Sequence, residues 1–153
     1  KRRIRKAQVW SCDTSEGALQ VAKQNAVTLG TEVNFLQLDF LDTTQWHQLP
    51  VTDIIVSNPP YIPANEKEKM QANVTRYEPA TALFVPDNDP LLFYKAIAGF
   101  GKQKLATGGV IYMEINEDLG NPVTSLFESE GYAVELKKDM QGKDRMVRAG
   151  RKS

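Results

Sequence analysis

Three apolar runs in the first part of the chain each stop at a polar side chain. They are Ala7–Asp13 (AQVWSCD), Val33–Asp39 (VNFLQLD) and Asp53–Ser57 (DIIVS), the last followed at once by Asn58. Between the first two, Ala18, Leu19, Ala22, Ala26 and Leu29 recur at helical spacing. Thr14 and Ser15 stand ready to cap that helix and Gly30 to stop it. Parallel neighbours need a crossover connection, so strand, helix, strand is the pattern of a largely parallel α/β sheet. It gathers Asp13, Asp39 and Asn58 at the carboxyl ends of strands, where open α/β sheets bind ligands.

The rest of the chain continues the alternation. Asn58 to about Asn88 is polar, punctuated by prolines and without sustained period, and a loop of that length in a compact domain is usually functional. Asp89-Pro90 then offers an N-cap and a first-turn proline to a helix through LLFYKAIAGFGKQKLATGG, weakened by Gly99 and Gly101 and ended by Gly108-Gly109. Val110–Ile115 is expected as a fourth strand. Asn121-Pro122 start a last helix with Val123, Leu126 and Phe127 on its apolar side and Gly131 at its end. YAVELKKD and RMVRAG, flanking MQGK, form an antiparallel pair at the sheet edge.

Composition removes several functions. The chain has 153 residues, enough for one domain, and its 19 Lys+Arg balance 19 Asp+Glu, so no global charge favours a polyanion. A single cysteine, Cys12, allows no internal disulfide and no cysteine-based zinc site, and its apolar neighbours favour a small buried residue over a reactive thiol. No metal-ligand spacing occurs, and no apolar run reaches membrane-spanning length. The setting expected is cytoplasmic. KRRIRK at the start of the chain is taken as a solvated helix end or connection.

The chemistry concentrates in Asn58-Pro59-Pro60-Tyr61. Neither proline has an N–H for a ladder, so the strand must end, and each proline holds the residue before it extended. The Asn58 side-chain carbonyl and the Pro59 backbone carbonyl can accept both hydrogens of a planar NH₂ group while Tyr61 stacks on its face. An amide or aryl nitrogen is a poor nucleophile because its lone pair is delocalised. Two acceptors favour its pyramidalisation and stabilise the positive charge that develops during attack. Such a nitrogen needs an electrophile with a very good leaving group, and a sulfonium methyl suits. The lone histidine, His47, is placed as a surface or packing residue. Asp13 fits a ribose-binding acid, and Asp39 could accept from an exocyclic amine while the Phe40 ring packs on a purine face. Each acid alone could as well cap the segment after it, and their recurrence at successive strand ends favours the ligand.

VSNPPYIP, then RYEPATALF, GGVIYMEI and DMQGKDRMVRA, together resemble the release-factor glutamine methyltransferases, the HemK/PrmC family, from about Ala7 to Ala149. Asn-Pro-Pro-Tyr alone is shared with adenine amino-methyltransferases of DNA, whereas RYEPATALF after it is more specific to the glutamine family. The resemblance implies a Rossmann-like class I methyltransferase fold, mostly parallel with a C-terminal antiparallel pair. It implies S-adenosyl-L-methionine as donor, S-adenosyl-L-homocysteine as product, and the Gly-Gly-Gln glutamine of peptide-chain release factors as acceptor. By the same carry-over Asp13, Asp39, Phe40 and Asn58 contact the cofactor, Asn58 to Tyr61 grip the amide, and Asn58 and Pro59 are catalytic.

The family's glycine-rich loop and first strand are not found here, nor is its helical N-terminal substrate-docking domain. Residues 1–153 are therefore expected as a partial methyltransferase domain that binds the cofactor weakly alone, Gly108-Gly109 being a turn and no substitute for the loop. With the family's first strand lying between them, Val9–Cys12 and Ile54–Ser57 should run parallel without mutual backbone hydrogen bonds. Two other functions are compatible with the motifs: a nucleic-acid amino-methyltransferase gripping a flipped base, and a non-catalytic binding module. Balanced charge and the absence of an inserted recognition region weigh against the first, so direct nucleic-acid binding is not expected.

Overall fold

The crossover expected near the start of the chain is present. β1 (Trp10–Asp13) and β2 (Asn34–Gln37) are parallel, in register from Trp10↔Asn34 to Asp13↔Gln37, and α1 (Glu16–Thr28) joins them. Ser15 caps α1 by accepting the Ala18 N–H at 3.2 Å, and Glu16 places a carboxylate in the first turn, where the helix dipole favours it. Gly30 has φ +58°, the left-handed conformation that suits glycine after a helix. Of the apolar positions read as the inner face, Leu19 is buried and Ala22 and Ala26 half-buried, while Ala18 and Leu29 are exposed. A 3-10 turn at Thr43–Gln48 follows β2 and buries Trp46.

The structure is a computed structural model and describes residues 4, 6–63 and 84–151. They fall into two compact units, Lys1–Pro50 and Val51–Ser153. Of the basic N-terminal run, Ile4 and Lys6 are exposed, and the other residues lie outside the described ones, as does RYEPATAL.

Among its described residues, the second unit holds a four-stranded sheet and a two-stranded one. β3 (Thr52–Ser57) is followed by a short strand β4 (Ile62–Pro63), which pairs in parallel with β5 (Phe84–Val85). Then come α2 (Leu92–Lys104), β6 (Leu105–Glu114), a 3-10 turn at Glu117–Leu119, α3 (Gly120–Ser129), β7 (Tyr132–Lys138) and β8 (Asp144–Arg151). The sheet order is β3–β6–β8–β7, with β3 parallel to β6 and the other two pairings antiparallel. β1 belongs to a separate sheet with β2. Alternation sorts the faces: Ile111, Met113, Val147 and Ala149 are buried on the side contacted by α2 and α3, while Ile54, Val56, Tyr112 and Met146 are exposed.

Three expectations change. Asp89 does not cap α2, whose N-cap is Leu91 without a side-chain bond; the Asp89 carboxylate instead takes the Lys95 ammonium at 2.8 Å. Gly108-Gly109 do not end a helix. α2 stops at Lys104, and β6 already includes both glycines, where a register shift in β3 between Thr52 and Ile54 absorbs the irregularity. A Cβ at Gly109 would stand 2.9 Å from the Asp53 carbonyl, so the close strand approach requires glycine. Finally, the segment read as one loop from Asn58 contains the β4–β5 pair.

Candidate active site

In the first unit, Asp13 ends β1 and Asp39 follows β2 by two residues, and the Leu38 N–H donates to the Asp13 carbonyl at 3.1 Å. The two acids thus stand at the same end of adjacent parallel strands. Each organises the chain after it. Asp13 Oδ1 accepts the Ser15 N–H at 2.7 Å and Asp39 Oδ1 accepts the Leu41 N–H at 2.9 Å. Each aspartate therefore does fasten the segment after it, as the sequence allows, and the same bond orients its carboxylate. A carboxylate has about four lone-pair sites, so one N–H leaves acceptor capacity. Both side chains are exposed.

Phe40 is half-buried, its ring centroid 5.7 Å from that of Trp46 at an interplanar angle of 39°. Trp46 Nε1 donates to the Phe40 carbonyl at 2.9 Å, which fixes the backbone under the ring. Asp42 anchors the following turn by accepting the Thr44 N–H (3.0 Å), the Thr44 hydroxyl (2.6 Å) and the Gln45 amide (2.9 Å). The hydrogen bonds from Thr44 and Gln45 hold its pKa below the usual aspartate value. Sequence reading missed Asp42 and Trp46, although an aspartate before Thr-Thr is a recognisable cap signal.

In the second unit, Asn58 emerges from β3 one residue past the Ser57↔Met113 pairing, beside Glu114 at the end of β6. Asn58 is exposed, Pro59 buried, and Pro60 and Tyr61 half-buried. The first proline therefore seats the loop while the asparagine amide faces solvent. Among the described residues no peptide bond is cis.

Beneath this edge lies Tyr94 of α2, fully buried, its hydroxyl 3.4 Å from the Glu114 carbonyl. Burial, then the neighbouring Tyr61 phenol, pushes its ionisation well above the ordinary tyrosine range, against a hydrogen bond with the Asn116 backbone. Tyr94 is thus a neutral phenol joining the helix to the end of β6, the strand paired with the one that carries the loop. Its helical spacing to Ile97 and Ala98 marks a core position in sequence; the partner of its hydroxyl carries no sequence signal.

His47 is exposed, and its Nδ1 donates to the Thr44 carbonyl at 2.7 Å, which leaves it a role in closing the 3-10 turn. Cys12 is half-buried, and burial raises its thiol pKa, which disfavours the reactive thiolate. Among the described residues no group of His, Cys, Asp and Glu could hold a metal ion, and no helix is long and apolar enough to cross a membrane.

The model of the methyltransferase small domain matches residues 1–81, more than half of the chain. The chain belongs to the methyltransferase small domain family. Among curated relatives of this methyltransferase chain, the release factor glutamine methyltransferase of Bacteroides thetaiotaomicron is 44% identical over 146 residues, covering 95% of the chain and 52% of the relative. That of Flavobacterium psychrophilum is 42% identical over 143 residues, covering 93% and 50%. The chain spans about half the length of these relatives. A solved protein-(glutamine-N5) methyltransferase (release factor-specific) from Alicyclobacillus acidocaldarius superimposes with a TM-score of 0.54 at 24% identity, over 96% of this chain and 81% of that one. That likeness shows the fold, which is the class I methyltransferase fold: α/β, mostly parallel, with an antiparallel pair at its C-terminal edge.

Proposed function

We propose that this chain carries the catalytic part of a protein-glutamine methyltransferase, acting on the side-chain amide of the Gly-Gly-Gln glutamine of peptide-chain release factors. The observation that carries the reading is the seating of Asn58-Pro59-Pro60-Tyr61. A buried proline and a solvent-facing amide stand at the carboxyl end of a strand in a parallel pair. The similarity to curated release factor glutamine methyltransferases supports the choice of an amide over a base as acceptor.

S-adenosylmethionine fits the residues present. Two exposed carboxylates at adjacent strand ends suit ribose hydroxyls and an exocyclic amine, and the half-buried Phe40 ring offers an apolar face to a purine. Asp13, Asp39 and Phe40 would hold its nucleoside end. When bound, the cofactor supplies a methyl group on a positively charged sulfur.

The chain's own residues prepare the acceptor. The Asn58 side-chain carbonyl and the Pro59 carbonyl each accept one amide N–H and fix the nitrogen in place. As its lone pair turns towards the methyl group, positive charge grows on the nitrogen, and both acceptors stabilise it. Tyr61 covers the amide plane and limits water. Once the cofactor's methyl had passed to it, the nitrogen, still held by the Asn58 and Pro59 carbonyls, would release one proton to solvent.

The test is incubation of the intact protein with purified release factor and methyl-labelled cofactor, followed by mass spectrometry. A single methyl on the Gly-Gly-Gln glutamine supports the reading. Label in nucleic acid, or none in release factor at stoichiometric enzyme, overturns it.

A further inference from the structure

The β7–β8 turn lies on the same edge of the sheet as Asn58. β3 and β6 run side by side in the same direction and end at that edge, and Glu114 at the end of β6 pairs with Met146 of β8. β8 is antiparallel, so the residues before Met146 extend past the edge. Asp144 pairs with Lys138, and residues 139–143 form the tip beyond them. By strand spacing the turn stands two to three strands, ~10–14 Å, across the sheet from Asn58 and roughly 13 Å beyond its edge.

This turn is rigidly built. Asp139 Oδ1 accepts the N–H of Gln141 at 2.8 Å and of Lys143 at 3.1 Å, its own N–H donates to the Lys143 carbonyl at 2.8 Å, and Gly142 has φ +84°. The base is fastened to the loop after β6. Lys143 pairs with Glu117 at 2.7 Å, Arg145 lies 3.5 Å from Asp139, and the Ile115 N–H donates to the Arg145 carbonyl at 2.9 Å. Lys138 pairs with Asp144 at 3.2 Å. The cations around the turn therefore already have carboxylate partners.

What the tip presents is Met140, fully exposed, beside the exposed Gln141. Single exposed apolar side chains are ordinary on protein surfaces. Here the position and the rigidity decide. Met140 contributes nothing to the core, yet it is displayed on a turn held by one carboxylate and a network of ion pairs. The turn's backbone is already ordered and loses little entropy on binding, so the methionine side chain's rotamers are the main ordering cost. A methionine adapts to an irregular apolar pocket. With the basic side chains neutralised, a polyanion gains little at this tip, so a protein surface is the better match.

Resting on the function proposed above, we infer that the β7–β8 turn is a docking surface for the protein substrate, with Met140 entering an apolar depression on the release factor away from its glutamine loop. A specific interface covers about 800 Å² on each partner, a patch roughly 30 Å across, so one bound protein spans both Asn58 and the turn. The inference separates recognition from chemistry: the turn sets how tightly the substrate protein is held, and Asn58 to Tyr61 set what happens to its amide.

The experiment compares wild-type intact protein with Met140→Asp, Met140→Ser and Met140→Leu, using purified release factor as substrate. Burial of a methionine side chain predicts a KM for release factor raised about tenfold to a hundredfold in the Asp variant and less in the Ser variant. The Leu variant should stay near wild type. Saturating kcat, cofactor affinity and melting temperature should not move in any of them. An unchanged KM in the Asp and Ser variants overturns the docking surface while leaving the proposed activity standing. A wild-type protein that methylates no release factor overturns both.

Discussion

The Tyr132 hydroxyl donates to the Ala98 carbonyl at 2.8 Å, joining the first residue of β7 to the middle of α2. Gly101, one turn further along α2, makes that approach possible. A Cβ there would stand 2.5 Å from the Tyr132 oxygen and 2.8 Å from Ile111 Cδ1. The glycine that weakens the helix in isolation is therefore what lets the helix lie against the sheet. Gly101→Ala should destabilise the fold by about 1–3 kcal/mol through overpacking, read as a lower denaturant midpoint. Tyr132→Phe, which keeps the ring and removes the bond, should cost about 1 kcal/mol. An alanine variant as stable as wild type would show that α2 can shift away from the sheet.

The same tyrosines set an alkaline limit. Burial raises the ionisation of both Tyr94 and Tyr132 above the ordinary value, with Tyr61 adding to the first and Arg151 partly offsetting the second. In the unfolded chain a tyrosine ionises near ~10. Their contribution to stability is thus complete below that pH and is lost as pH rises above it, by up to about 1.4 kcal/mol per pH unit for each. Chemical unfolding at a series of pH values from neutral upward should show this decline. Tyr94→Phe should be less stable at neutral pH but flatter above pH ~10. Parallel profiles for variant and wild type would mean that Tyr94 titrates normally.

How much of this could be seen in the sequence depends on the range of the interaction responsible. The β1–α1–β2 unit was legible because its period, its Ser15 cap and its Gly30 stop are local. The abrupt end of β3 at Asn58 was legible because two prolines forbid continuation. The start of α2 and the extent of β6 were not. Asp89 is a good cap by composition, yet Lys95 takes its carboxylate, and Gly108-Gly109 resemble a helix stop until the Asp53 carbonyl of a neighbouring strand is seen against Gly109. The candidate site divides the same way. Its strand-end acids and amide loop are sequence features, whereas the support from Tyr94 to Glu114 crosses twenty residues and leaves no local pattern.

For the cofactor, Asp13→Asn and Asp39→Asn are the informative variants in the intact protein, because each keeps an acceptor for the N–H of Ser15 or Leu41. A hydrogen bond to a charged group contributes about 1.5–3 kcal/mol, so each should weaken S-adenosylmethionine binding roughly tenfold or more by calorimetry. Melting temperature without cofactor should change little. Equal affinity in both variants would leave these acids with their capping roles alone.

The amide grip makes the sharpest demand. Asn58 is exposed at the end of β3 and adds little to packing, so Asn58→Ala should fold normally. If its side-chain carbonyl acts mainly on the charge that develops during methyl transfer, kcat should fall about 10²–10³-fold, or ~2.7–4 kcal/mol. Cofactor affinity should remain largely intact and KM for release factor should shift little, the opposite pattern from that expected at Met140. Asn58→Asp distinguishes electrostatics from shape. It keeps one acceptor oxygen, replaces the NH₂ donor with a second and adds a negative charge, so a role in simple acceptance alone leaves it active. A role that requires a neutral amide leaves it as impaired as alanine. Single-turnover rates for the three proteins decide between these outcomes, and near-normal turnover by Asn58→Ala would remove the mechanism altogether.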